Sequence, residues 1–306
     1  MNDPGIIQYL SNDKIDKAKW DACLDKSVNG LIYGYSFYLD TMADNWDALV
    51  LGDYEAVMPL TWKKKYGIHY LYQPFLTAQL GIFAPAIKSG VLENFFHSIP
   101  KKFMYIDIYF NHHNLFQPQG YRLYSRSNYV LDLNKSYEQL YKNYSENIQR
   151  NIKKGVQAGC VVQKGFDIVR VISLALQQMK SHSKESAENV DRFRKLYQLL
   201  APQKKAVTYG ISLKDELLAS AVFFFSHKRA YYILVGNHPG GKPIGASHML
   251  IDAFIKDHAG KDMLLDFEGS DLPNLAFFYS SFGAVEEKYA ALKMNRLPFY
   301  LKWLKR

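Results

Sequence analysis

KAVTYGISLKDELLASAVFFFSHKRAYYILVGNH, residues 205–238, holds three runs rich in Val, Ile, Phe and Tyr, separated by the polar turns KDE and HKR. Short β-branched and aromatic runs bounded by such turns read as strands of an antiparallel meander. GGKPIGASHMLIDAFIKDHAG (240–260) continues as a Gly-rich turn and a helix, and DMLLDFEGS (262–270) as a further strand. A helix joining two neighbouring strands makes their pairing parallel, with a right-handed crossover. The expected unit is therefore α/β, with a mixed, mostly antiparallel sheet flanked by helices.

The same order occurs once earlier. DALVLGDYEAVMPLTWKKKYGIHYLYQP (47–74) reads as strand, turn, strand, basic turn and strand. A helical stretch around 88–98 and the strand KFMYIDIYF (102–110) complete it. Two units of one order point to a tandem duplication, with domains expected at 1–127 and 128–306 and a junction near YRLYSRSNYVLDL (121–133). The regions 135–159 and 168–200 read as further helix, without the sustained heptads of a coiled-coil arm.

Composition sets the frame. The chain has 306 residues, 48% hydrophobic and 22% charged, enough to bury a core in each of two domains. Its longest apolar run, LLASAVFFF (217–225), falls short of the about 20 residues a membrane helix needs. The start, MNDPGIIQYL, lacks the pattern of a secretion signal, and Cys23 and Cys160 form no metal-ligand spacing. A reduced, cytoplasmic setting is expected. A net charge of +9 favours anionic partners. The pair His112–His113 lacks a third ligand at metal spacing and reads as surface loop; no metal site is expected.

Three stretches carry candidate chemistry. The turn 240–247 leads into a helix start, where unpaired backbone N–H groups and the helix dipole favour a phosphate; Lys242 and the small residues Gly245, Ala246 and Ser247 lie there. Asp266 and Glu268, two apart on a presumed strand, share a face; Glu268 is the candidate general base, and Asp266 reads as a structural ion-pair partner. Tyr279, in DLPNLAFFYSSFGA (271–284), stays protonated at neutral pH and suits a proton donor to a leaving group. Arg150, Lys153 and Lys154 read equally as a solvated helix face or as a phosphate contact. The tail LPFYLKWLKR (297–306) is expected to pack on the core.

In order and spacing, these stretches resemble the GNAT acyltransferase superfamily. Its Q/R-x-x-G-x-G/A signature aligns with KPIGAS, Lys242 standing for Gln/Arg and Ser247 for the second small residue. Its later Tyr helix aligns with N-x-A-x-x-Y-x-x-F-G over Asn274–Gly283, Ala284 replacing the usual Phe. Nearly the whole chain also resembles the FemABX-related proteins, tandem GNAT folds whose best-known members use aminoacyl-tRNA to extend peptidoglycan precursors. That resemblance implies a degenerate first domain that helps hold the acceptor, and a second domain with donor and chemistry. It implies donor contacts at Leu234, Val235, Gly236, Lys242, Gly245, Ala246, Ser247 and Asn274, backbone N–H of 234–236 polarising the carbonyl. It further implies acceptor contacts at Arg150, Lys153 and Lys154. The co-substrate is acyl-CoA or aminoacyl-tRNA, with no tightly bound cofactor. The acceptor is an amine, either a small molecule or a cell-wall precursor reached by peripheral membrane contact, and the chain is expected to act as a monomer. The alternative is a non-catalytic GNAT-fold protein that binds an anionic ligand or RNA, motivated by the altered Lys242, Ser247 and Ala284.

Overall fold

The computed structural model describes residues 5–87, 89–115, 122–180, 186–269 and 271–301. In chain order its elements are β1 (Ile7–Leu10), α1 (Lys17–Lys26), α2 (Ser36–Met42), β2 (Asn45–Leu51), β3 (Ala56–Lys65) and β4 (Ile68–Leu71). Next come α3 (Ser89–His97), β5 (Phe103–Tyr109), β6 (Leu123–Asp132), α4 (Tyr137–Lys142), α5 (Glu146–Gln157), β7 (Val161–Lys164), α6 (Ile168–Lys180) and α7 (Ala187–Leu200). The chain closes with β8 (Ala206–Leu213), β9 (Glu216–Ser226), β10 (Arg229–Asn237), α8 (Ala246–His258), β11 (Leu264–Asp266), α9 (Pro273–Ser280) and β12 (Val285–Asn295). Two compact units result: residues up to Arg126 together with those from Lys288 onward, and Ser127–Glu287. The sequence placed everything after 127 in the second unit; the structure returns residues from Lys288 onward to the first.

In the first unit the strands run β1-β2-β3-β4-β5-β12. β2, β3 and β4 form the antiparallel meander, and β4 pairs with β5 in parallel after the α3 crossover. β12 joins β5 antiparallel, Ala291 opposite Tyr109. Strand alternation sends Ile106 and Ile108 to one face, where they share a core with Met58, Leu60 and the α3 residues Leu92, Phe95 and Phe96. Helix α1 starts at Asp16, whose carboxylate accepts the N–H groups of Ala18 and Lys19. Its Trp20 packs on Trp46 of β2, ring centroids 5.1 Å apart, and donates to the Gly34 carbonyl at 2.8 Å.

The second unit repeats the plan with order β6-β11-β10-β9-β8-β7. Its central strand β9 does not alternate polar with apolar because both of its faces are covered. Phe223 stacks on Phe254 of α8 at 3.7 Å, and the adjacent Phe224 on Phe193 of α7 at 5.5 Å. Burying one such ring contributes about 2 kcal/mol. Helix α5, capped by the Ser145 side chain, buries Ile148, Ile152 and Gly155 and leaves Arg150, Lys153 and Lys154 exposed.

Between β6 and β10 lies β11, only three residues long. It pairs in parallel with Arg229–Tyr231 of β10 and antiparallel with Val130–Asp132 of β6. The expected strand 262–270 therefore ends at Asp266, while β10 continues to Asn237 without β11 beside it. A register shift against β9 between Tyr232 and Leu234 bends β10 at this point. Among the described residues no helix is long and apolar enough to cross a membrane.

An ion cluster holds the paired end. Arg229, 5% exposed, meets Asp266 Oδ2 and Glu287 Oε1 at 2.6 Å each. Asn128 donates to Asp266 Oδ1 at 2.9 Å and accepts the Gly269 N–H at 2.6 Å. Asp266 is thus the structural ion-pair partner that its sequence position suggested. Removing one member of a buried pair strands the other charge, so Asp266→Ala should lower unfolding stability by about 3 kcal/mol, measured by urea denaturation at pH 7.

Candidate active site

Where β10 and β11 part, a cavity of about 350 Å³ opens in the second unit. Tyr232 and Val235 of β10 form one wall, Leu275, Phe278 and Tyr279 of α9 another, and Ala246, Ser247 and His248 of α8 a third. Gln178, Asn237 and Lys242 give it a polar margin. Apolar walls with a few convergent polar groups are the usual make-up of a small-molecule site.

Tyr279 is the seventh residue of α9, whose first position is Pro273. Its ring is buried and stacks on Phe267 with centroids 4.5 Å apart. Among the described residues no group bonds its hydroxyl. Burial, reinforced by the negative charge of Glu268, pushes its pKa up to about 12. The phenol is therefore protonated throughout the physiological range. Tyr232, buried on the cavity wall, is held protonated by burial as well.

The turn before α8 differs from the expected phosphate cradle. The N–H of Gly241 donates to the His238 carbonyl at 2.9 Å, that of Lys242 to Pro239 at 3.3 Å, and that of Gly245 to Lys242 at 3.3 Å. The Gly240 N–H turns to His238 Nδ1 at 3.2 Å. These four N–H groups are bonded within the turn, and the first turn of α8 that follows has no side-chain cap. Gly245 is needed for two reasons: its φ is +74°, and a Cβ there would lie 2.4 Å from the Asn151 carbonyl oxygen of α5.

A chain of polar contacts crosses the margin. Ser247 Oγ donates to Asn237 Oδ1 at 2.5 Å, and the Asn237 N–H donates to Gln178 Oε1 at 2.8 Å. Gln178 reaches this point because α6 lies tight on β10: a Cβ on Gly236 would sit 2.6 Å from the Ala175 nitrogen.

Of the residues expected in the site, Val235, Lys242, Ala246, Ser247 and Tyr279 line the cavity. Leu234 and Gly236 are buried in the adjoining strand, Gly245 is packed under α5, and Asn274 is exposed at the start of α9. Glu268 is corrected most. It follows the end of β11 at φ +65°, so it does not share a strand face with Asp266; its N–H donates to Asp266 Oδ1 at 2.9 Å. Its side chain is absent from the cavity wall and acts on Tyr279 through its charge. Arg150, Lys153 and Lys154 lie on the exposed face of α5, outside the cavity.

Gln178, Asn237, Phe278 and His248 were not singled out as site residues in the sequence. His248 meets Phe278 edge-on at 5.0 Å, and its Nδ1 is buried without a partner among the described residues. Burial drives its pKa down to about 4. Among the described residues no group of three or more His, Cys, Asp or Glu side chains is placed to hold a metal ion.

Residues 142–272 match the family described as "Acetyltransferase (GNAT) domain". The second unit carries a GNAT domain. No curated protein sequence matches the chain. Among solved structures, FemX has a TM-score of 0.64 at 12% identity, over 97% of this chain and 99% of that one. L-PGS from Bacillus licheniformis follows with a TM-score of 0.55 at 11% identity, over 94% of this chain and 95% of its own. A tandem GNAT protein from the clavulanic acid biosynthesis pathway gives 0.54 at 10% identity, over 96% and 99%. At these identities the likeness is one of fold: two tandem GNAT-like units, each a mixed sheet flanked by helices. In the GNAT domain the parted strands, the turn before α8 and the Tyr279 helix enclose the cavity together.

The GNAT-domain histidine gives a stability test. Unfolded, an imidazole titrates near 6.5; folded, His248 stays neutral down to about 4. The unfolded chain therefore binds the extra proton between these values, and stability falls as pH drops through that window. His248→Phe keeps a ring and removes the proton site. Its urea midpoint should fall less than that of the unaltered protein between pH 7 and pH 4.5.

Proposed function

We propose that the second unit is an N-acyltransferase that moves an acyl or aminoacyl group from a thioester or ester donor directly to an amine. The observation that carries this reading is the Tyr279 hydroxyl, protonated and without a protein partner among the described residues, in a cavity at the parting of β10 and β11. The GNAT match over residues 142–272 supports the same class of reaction.

In this reading the donor carbonyl lies beside β10, where the backbone of Leu234–Gly236 has left β11 and offers N–H groups to the developing oxyanion. The amine nitrogen attacks that carbon and forms a tetrahedral intermediate. Collapse expels the thiolate or alkoxide, and Tyr279 gives it a proton. Water at the open margin of the cavity takes up the proton the amine gives up, because His248, protonated only below about 4, is too weak a base for it. The charge of Glu268 adds to burial in raising the phenol pKa. Lys242 and the uncapped start of α8 meet the donor phosphate, whether the donor is acyl-CoA or aminoacyl-tRNA. Arg150, Lys153 and Lys154 serve a polyanionic substrate, such as a phosphate-bearing cell-wall precursor.

Tyr279→Phe keeps the stacking on Phe267 and removes only the hydroxyl. Transfer should be followed with acetyl-CoA and, in parallel, labelled aminoacyl-tRNA against a panel of amines. With whichever donor is active, the variant should lose about a hundredfold in kcat with KM changed little. An unchanged kcat would remove Tyr279 from the chemistry; no transfer from either donor would favour a binding protein.

A further inference from the structure

The first unit has a cavity of its own, of about 210 Å³, where β4 and β5 run in parallel. Tyr70 and Tyr72 alternate onto one face of β4 and the residue after it; Tyr105, Asp107 and Tyr109 alternate onto the same face of β5, with Tyr70 and Tyr105 register partners. Four phenol rings thus surround one carboxylate, the single ionic group among the lining residues.

That carboxylate is poorly satisfied. Its Oδ2 receives one long bond, from the Tyr105 hydroxyl at 3.5 Å, and its Oδ1 is buried without a partner among the described residues. A buried carboxylate oxygen with no donor is costly, and native structures rarely leave one so unless something else supplies the donor. The neighbouring Gln73 does not supply it. Its Oε1 accepts the Tyr109 N–H at 3.1 Å, and its Nε2 donates to the Thr77 carbonyl at 2.8 Å. Lys293 stands opposite Asp107 in the β5–β12 register, yet it is exposed and forms no ion pair with it among the described residues.

Rings in this cluster already attract cations. The Lys63 ammonium lies 4.6 Å from the Tyr72 centroid and the Arg126 guanidinium 4.2 Å from that of Tyr109. Lys63 is neutralised by Asp44 at 2.8 Å, and neither cation lines the cavity.

We propose that this cavity binds a primary alkylammonium group, its N–H donors meeting Asp107 and its charge facing the tyrosine rings. A quaternary ammonium would satisfy the rings but not the carboxylate oxygen, and an anion would be repelled by it. The site stands independently of acyl transfer in the second unit.

The test is a calorimetric titration of the full chain with n-butylammonium chloride and, as a neutral counterpart of similar size, n-pentanol, at equal ionic strength. The ammonium should bind at least tenfold tighter than the alcohol, and Asp107→Asn should abolish that preference. Tyr70→Phe should keep binding and Tyr70→Leu should weaken it at least threefold. Equal affinity for the two probes, no binding of either, or an unchanged ammonium affinity in Asp107→Asn would each overturn the proposal. Should Asp107→Asn fail to fold, judged by its melting curve, the Tyr70 pair decides: full retention in Tyr70→Leu overturns it.

Discussion

The second unit depends on the point where β10 and β11 separate. Their parallel pairing lasts three residues, Arg229–Tyr231 against Leu264–Asp266, and the Arg229 guanidinium is fixed there by Asp266 and Glu287. A buried guanidinium tolerates little movement, because each lost carboxylate contact leaves a desolvated charge. Beyond it β10 shifts register against β9 and loses β11, so backbone groups and side chains that a continued sheet would have closed face a cavity instead. Tight pairing at one end and none at the other is how a rigid sheet presents a site without an unsupported loop.

Close helix packing then shapes what the opening holds. α6 presses on β10 at Gly236 and delivers Gln178 to the Asn237 N–H; α5 presses on Gly245 and fixes the start of α8. The glycines of this region serve approach of one backbone to another as much as approach of a ligand. With most of the turn's N–H groups bonded inward, the site relies on apolar walls, the phenols of Tyr232 and Tyr279 and one neutral imidazole more than on an anion nest.

The two units show how one topology takes different contents. In each, a meander strand meets a later strand in parallel, β4 with β5 and β10 with β11, and in each a cavity lies at that pair. In the second unit the opening is apolar with a polar margin. In the first it is lined by tyrosines around Asp107. The fold supplies the place, and the side chains that alternate into it supply the chemistry.

The meanders, the crossover helices and the tandem repeat were legible in the sequence, because hydrophobic runs and turn residues act locally and hydropathic period reports them directly. The place of Tyr279 on a short helix and of the 242–247 turn between a strand and a helix was legible for the same reason, since those spacings are short. Glu268 was misplaced because strand alternation was carried two residues past the real strand end, where its backbone enters the left-handed region; the length of β11 is set by β6 and β10, both distant in the chain. Gln178 and Asn237 escaped notice as a pair because they are 59 residues apart and meet only through helix packing. The last strand joined the first unit for a similar reason, as β12 pairs with β5 far upstream. Sequence by itself determined which segments become strands and helices and in what order, since those choices are made by neighbours along the chain. Only the tertiary structure decided where the sheet parts, which side chains line the openings, and which charges are neutralised, since those outcomes depend on long-range pairing and burial.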